Sequence, residues 1–347
     1  EVLALKPDQI IHLAARTEVE QSFYEQITFS EVNYVGTVNL IEAAAKIKNL
    51  KNFVFASTME VYGWQPISDE VNINGVPKKF ISFDENTQPN PNAPYAVAKY
   101  ACEKYLQYAN RCLNLPFTAL RQTNCYGRKD NDYFVTEQII TQMLKNPKEI
   151  NLGYGEPYRN FIWIDDLLKA WVGVIENPDK CAGEIYCLGP DNAIKIKDYV
   201  QLIADKLGWK GTVNWNTKKD RPGEIYLLNS SGKKLEDAIG WKPKKTLENG
   251  VINTINIWKK LAKKNGLKVK RMLPSGQIGV HLLVCKRYLY QSITAIGPNK
   301  TEGLQLYRQQ ISGFPAPQRL LNCELVHVRT YCLRSLTYGT RQNLRLL

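Results

Sequence analysis

Short apolar runs alternate with stretches of helical periodicity through the first half of this chain. Pro7-Asp-Gln-Ile-Ile-His-Leu-Ala-Ala15 is an apolar run ending in small residues. It predicts a buried parallel strand whose carboxyl end lets a ligand approach the backbone. Helical spacing predicts helices over about 19–29 and 32–48, the second carrying Tyr34, Val38, Ile41 and Ala45 on one face. Lys51 to Thr58 is the next strand, centred on Phe53, Val54 and Phe55. A helix opening at Tyr95 runs to about Leu113, and Leu115 to Arg121 is a third strand. Strand alternating with helix is the order of a doubly wound parallel sheet. After Gly127 the pattern turns irregular. It predicts helices near 134–145, from Asp166 to about 176, and over 196–207 with Gly208 as the closing glycine. A strand at 183–188 and a last helix near 247–264 complete it. The fold class is α/β, a Rossmann-like doubly wound sheet with a smaller α+β lid. The division is 1–128 for the sheet domain, to which later strands can return, 129–270 mainly for the lid, and 271–347 for a basic tail.

Composition changes this picture at the carboxyl end. The chain is 44% hydrophobic and 23% charged, ordinary for a globular protein, and has no apolar run long enough to span a membrane. Of the formal net charge of +13, residues 271–347 contribute ten basic against two acidic groups, or +8. The excess therefore sits outside the main body and argues against a nucleic-acid partner for it. The tail reads as foreign to the domain, an out-of-frame or fused extension or an atypical, disordered appendage. Cys102, Cys112, Cys125, Cys181 and Cys187 show no paired or metal-ligand spacing, which suits buried thiols in a reducing cytoplasm. His12 is the only histidine before residue 281, so Ser-His-Asp and histidine-metal chemistry drop out. It reads as a structural residue.

Candidate chemistry gathers at the predicted strand ends. Tyr95 and Lys99 stand four apart and share a helix face, and an ammonium beside a phenol favours the phenolate. Ser57-Thr58-Met59-Glu60-Val61-Tyr62-Gly63 puts hydroxyls and a carboxylate at the end of the second strand, where open α/β sheets bind ligands. Asp165 and Asp166 precede a helix and read as its caps.

Several motifs in fixed order then resemble one family. They are Pro7-Asp-x-Ile-Ile-His-Leu-Ala-Ala15, Asn33-Tyr-Val-Gly-Thr-Val-Asn-Leu-Ile-Glu-Ala-Ala44, Ser57-Thr-x-Glu-Val-Tyr-Gly63, Pro94-Tyr-x-x-x-Lys99, Arg121-x-x-Asn-x-Tyr-Gly127, Arg159-Asn-Phe-Ile-x-Ile-Asp-Asp166 and Arg221-Pro-Gly-Glu224. From about Pro7 to Lys264 the chain resembles the NAD-dependent epimerase/dehydratase family of extended short-chain dehydrogenases/reductases. The nearest branch is the nucleotide-sugar 4,6-dehydratases, with Pro94-Tyr-Ala-Val-Ala-Lys99 much like the GDP-mannose enzymes. The resemblance implies that Tyr95 takes the proton of the sugar 4-hydroxyl, Lys99 lowers the phenol's pKa and holds the nicotinamide ribose, and Thr58 orients the same oxygen. It makes Glu60 the base at C5 for loss of water from C6. Simple 4-epimerases usually lack this Glu, whereas uronate decarboxylases share it. Met59 departs from one dehydratase branch, which has an Asp general acid there. NAD or NADP would lie along Leu13, Ala14, Ala15, Asn33, Ser57, Tyr95 and Lys99. Asn124, Arg159 and Arg221 would anchor a nucleotide-diphosphate sugar, arginine forks suiting diphosphate oxygens. A homodimer or homotetramer is expected, with no metal. The alternatives are a 4-epimerase, a uronate decarboxylase or a catalytically dead binding protein.

The family's glycine-rich dinucleotide turn after its first strand is not in this sequence, whose first glycine is Gly36. The chain reads as starting near the family's fourth strand, with the first strands missing. Two consequences are expected: an unpaired sheet edge and poor cofactor binding, because the pyrophosphate cradle is such a turn at a helix N-terminus.

Overall fold

The computed structural model describes residues 2–65, 81–129, 131–217, 222–265, 281–286 and 289–294. The elements of the amino-terminal part are α1 (Val2–Leu5), β1 (Gln9–His12), α2 (Val19–Ser22), α3 (Gln26–Phe29), a π-helical segment (Ser30–Val35), α4 (Gly36–Ala44), β2 (Asn52–Thr58), a 3-10 turn (Met59–Tyr62), α5 (Pro94–Leu113) and β3 (Phe117–Gln122). Then come β4 (Asn124–Tyr126), α6 (Val135–Lys145), β5 (Glu149–Asn151), β6 (Tyr158–Arg159), β7 (Phe161–Trp163), α7 (Ile164–Glu176), α8 (Pro178–Cys181) and β8 (Glu184–Leu188). The remainder is β9 (Ile194–Lys195), α9 (Ile196–Leu207), β10 (Thr212–Asn214), β11 (Leu227–Leu228), α10 (Lys233–Ile239), α11 (Leu247–Asn265), β12 (His281–Lys286) and β13 (Leu289–Thr294).

The main sheet has the order β13-β12-β1-β2-β3-β8. From β1 to β8 it is parallel, with Ile10 opposite Phe53, and Phe53 opposite Phe117. Each strand alternates between two cores. Ile10, Phe53, Phe55, Phe117 and Ala119 face α4 and α5, joined there by Ile41, Cys102 and Leu106. Ile11, Val54, Ala56 and Leu120 face α7 and α10, against Trp171, Val174 and Trp241. Burial on both faces explains the unbroken apolar runs in the sequence. A third core holds the lid together, where Ile139, Met143, Tyr199, Ile203, Val251 and Trp258 join α6, α9 and α11.

Several expectations are met. The helices over 134–145 and 196–207 form within a residue of their expected ends, and Gly208 closes α9 at φ 74°. The strand at 183–188 returns to the main sheet as β8. Others need correction. The helix expected over 19–29 breaks at Phe23, and the one over 32–48 opens as a π-helical segment and ends at Ala44. Asn33, inside that segment, turns its side chain back to the Arg16 backbone, giving a local reason for the irregular winding. The edge of β1 expected to be bare is paired: β12 runs antiparallel along it, Gln9 opposite Cys285 and His12 opposite Leu282, and β13 follows as a hairpin. These strands lie within the tail read as an out-of-frame, fused or disordered extension. Asp165 and Asp166 do not cap α7. Asp165 accepts from Trp163 Nε1, and Asp166 Oδ2 accepts the backbone N–H groups of Lys244 and Lys245. Cys112 is exposed and Cys125 half-buried, so not all body thiols lie in the core.

Candidate active site

The carboxyl ends of β1 and β2 meet the first three turns of α5. Pro94 at the first helical position sets the entry of α5, and Tyr95, Lys99 and Glu103 follow at i, i+4 and i+8 on one face. All three are buried, Lys99 at 2% exposure and Glu103 at 0%. Three successive residues of β2 each stand against one of them. The Ala56 carbonyl accepts from Lys99 Nζ at 2.8 Å, and Ser57 Oγ donates to Glu103 Oε1 at 2.5 Å. The Thr58 hydroxyl stands beside the Tyr95 phenol and favours its ionised form. Thr58 Oγ1 also accepts the Glu60 N–H at 3.2 Å, capping the 3-10 turn that carries Glu60.

Tyr95, Lys99, Thr58 and Glu60 are thus gathered at the carboxyl end of β2. Their electrostatics differ from the expectation. Burial, with the Glu60 and Glu18 carboxylates adding to it, pushes the Tyr95 phenol above its ordinary value, and the Thr58 hydroxyl only partly offsets this. Lys99 gives one donor to Ala56 and lies 4.7 Å from the Phe55 ring centroid. Burial brings its ammonium down to about 8, against the pull of the Cys102 and Glu103 side chains. Without a depressed pKa, the phenol stands protonated and ready to donate.

The other candidates divide. Leu13, Ala14 and Ala15 follow β1, with Leu13 exposed and the two alanines half-buried. Asn33 spends its amide on the Arg16 N–H and C=O, at 2.8 and 2.9 Å, so it shapes that loop rather than facing outward. Ser57 is directed to Glu103. Asn124 Nδ2 donates to the Asn160 carbonyl at 3.2 Å. Arg159 pairs with Glu224 at 2.7 Å, and Asn92 Nδ2 donates to the Gly223 carbonyl at 2.6 Å. That bond brings the loop at 222–224 against the start of α5. Arg221 lies outside the described residues. Met59 packs inward with Val61, Tyr62 and Phe83, so a thioether at this position fills core space.

Sequence reasoning missed the polar layer behind the site. Arg121 makes a bidentate pair with Glu103, Nε–Oε1 3.0 Å and Nη2–Oε2 2.8 Å, and its Nη1 donates to the Tyr62 hydroxyl at 3.0 Å. The Tyr62 hydroxyl lies 2.6 Å from the Asp84 carbonyl and 2.9 Å from Cys187 Sγ. The Tyr95–Lys99–Glu103 spacing was a readable signal for part of it.

Lys99 keeps two donors beyond the one spent on Ala56. With the Thr58 and Tyr95 hydroxyls and the small residues after β1, this set fits the nicotinamide and ribose half of a dinucleotide. Among the described residues no glycine-rich turn follows β1 to cradle a pyrophosphate.

With this geometry in place, likeness to known proteins becomes informative. Residues 2–254 match the family model described as GDP-mannose 4,6 dehydratase. The dTDP-glucose 4,6-dehydratase 1 of Escherichia coli is 30% identical over 270 residues, which is 72% of each chain. A UDP-glucose 4-epimerase of Thermotoga maritima, solved with UDP-glucose, superposes with a TM-score of 0.65 at 27% identity, over 75% of this chain and 80% of that one. A dTDP-glucose 4,6-dehydratase of Streptomyces venezuelae, solved with NAD bound, gives 0.65 at 25% identity, over 75% and 76%. The fold and the site define a Rossmann-type enzyme of the nucleotide-sugar epimerase and dehydratase class. Within it, this chain belongs to the GDP-mannose 4,6-dehydratase family. Among the described residues no helix is long and apolar enough to cross a membrane.

Proposed function

We propose that the protein is a nucleotide-sugar 4,6-dehydratase using NAD or NADP. The observation that carries this reading is the convergence at Thr58, whose hydroxyl takes the Glu60 N–H and stands beside the Tyr95 phenol, which also feels the Glu60 carboxylate. A carboxylate-bearing turn and a phenol thus meet beside one hydroxyl. A dinucleotide held beside Lys99 and Tyr95 would supply the acceptor for the C4 hydride and give it back at C6 after water loss. Tyr95 exchanges the proton of the 4-oxygen, and Thr58 orients that oxygen. Lys99, buried and cationic below about pH 8, opposes the phenol's preference for its proton. A 4-keto group acidifies C5–H, and Glu60 removes that proton as water leaves C6. Arg159, Arg221 and Asn124 anchor the diphosphate, so Arg159 must exchange Glu224 for phosphate oxygens. The working assembly is a homodimer or homotetramer in the cytoplasm.

The test is turnover of GDP-mannose, dTDP-glucose and UDP-sugars, followed by the alkaline absorbance of a 4-keto-6-deoxy product. Glu60→Gln should lose elimination and retain 4-oxidation, read as reduced dinucleotide. A C4 epimer without water loss refutes dehydration, and elimination persisting in Glu60→Gln removes Glu60 from its role.

A further inference from the structure

Glu103 and Arg121 lie under the reacting groups without facing the sugar, and the reading above gives them no part. Their geometry does. Glu103 Oε1 receives both Ser57 Oγ and Arg121 Nε, and Oε2 receives Arg121 Nη2. Ser57 and Arg121 are direct neighbours across β2 and β3. The carboxylate therefore joins one turn of α5 to two strands at once. On either side of Ser57, Ala56 holds Lys99 and Thr58 stands beside Tyr95. A slip of α5 against β2 would disturb both ties and the Tyr95–Thr58 approach together.

We propose that Glu103, clamped by Arg121, is a positioning residue of this site. It fixes the last residues of β2 against α5 and supplies the anion that keeps the buried Lys99 charged. This rests on the reading of Tyr95 and Lys99 as the reacting pair.

The groups around Lys99 leave Glu103 as that anion. From β1 comes His12, held neutral, its pKa brought down to about 3 by burial and by Lys99 itself. From β2 come the Phe55 ring and the Ala56 carbonyl, which carry no charge. From α5 come Cys102 and Glu103. Burial pushes the Cys102 thiol up to about 11, so it stays neutral while Lys99 titrates near 8. Tyr95 is protonated throughout that range. From β3 comes Arg121, whose cation is spent on Glu103. A buried lysine without a neighbouring anion sheds its proton more readily.

The experiment titrates Lys99 by carbon NMR of lysines labelled at the ε-carbon, in the full chain, with Lys99→Arg assigning the resonance. In Glu103→Gln the midpoint should fall by about one pH unit or more, since the anion is gone and the Arg121 cation is bare. Glu103→Gln strands a buried guanidinium, so Glu103→Gln/Arg121→Met serves as the second variant. It removes both charges and should shift the midpoint down by a smaller amount. In active protein, the alkaline limb of the pH–rate profile should move with the NMR midpoint. An unchanged midpoint in either folded variant overturns the proposal. A shifted midpoint in a protein whose wild type turns over no nucleotide sugar supports the hold of Glu103 on Lys99 and defeats the dehydratase reading instead.

Discussion

His12 makes acid stability a sharp test of how this site is built. Its ring is buried beside Phe53 and Phe55, with centroids 6.0 and 5.8 Å away. Nε2 lies 2.8 Å from Thr37 Oγ1, and Thr37 Oγ1 lies 2.6 Å from the Asn33 carbonyl. A hydroxyl that close to a carbonyl has committed its proton there, so it accepts from His12 Nε2–H. Nδ1 is then the bare nitrogen, and it is buried without a partner. Protonating it would create a buried N–H with no acceptor and a second cation near Lys99. Burial first, and Lys99 second, accordingly bring the imidazole from 6.5 down to about 3. Between those values the unfolded chain binds a proton that the folded chain refuses, so stability falls as pH falls through this window. At about 1.4 kcal/mol per pH unit, the loss reaches roughly 3 kcal/mol by about pH 4.5. Urea unfolding of wild type and His12→Phe, near neutral pH and near pH 4.5, isolates this contribution because the carboxylates titrate alike in both. The added bulk of phenylalanine costs about 1–3 kcal/mol at every pH and cancels in the difference. The wild type should lose about 3 kcal/mol more than the variant on acidification. Equal losses would refute both the tautomer and the burial argument.

Two further substitutions probe the layer around the site. Tyr62→Phe removes the hydroxyl that accepts from Arg121 Nη1 at 3.0 Å and should cost about 1.5–3 kcal/mol in urea unfolding, the range for a hydrogen bond to a charged group. Gly63 sits at φ +53°, and a Cβ there would lie 1.8 Å from the Asn90 carbonyl oxygen. Gly63→Ala should therefore destabilise by more than about 3 kcal/mol and lower the soluble yield; a variant within about 1 kcal/mol of wild type would mean the turn can rearrange.

What the sequence revealed and what it hid follow from the range of the interactions involved. Tyr95 and Lys99 were legible because a helix brings i and i+4 together by itself, and the strand ends were legible because apolar runs stop there. Glu103 was one step further along the same face, yet a glutamate in a helix reads as solvated unless its partner is known. Its partner, Arg121, arrives from β3 through sheet pairing, which no local pattern encodes. The same holds for the break at Phe23 and for Asn33, whose amide serves the Arg16 backbone across the π-helical turn. The expected lowering of the Tyr95 pKa failed for an electrostatic reason. Spacing gives the closeness of a charge, whereas the burial that opposes ionisation comes only with the tertiary fold.

Asp166 belongs to α7, which packs on the main sheet beside Trp171 and Val174. Its carboxylate grips the Lys244 and Lys245 amides just ahead of α11, a helix of the lid core, while its carbonyl takes the Trp241 indole. One side chain therefore strengthens the link between two hydrophobic bodies. β7 also spans both bodies, with Ile162 in one core and Phe161 and Trp163 in the other; calorimetry of Asp166→Ala should therefore show a lower and broader transition than the intact chain, the lid core loosening first.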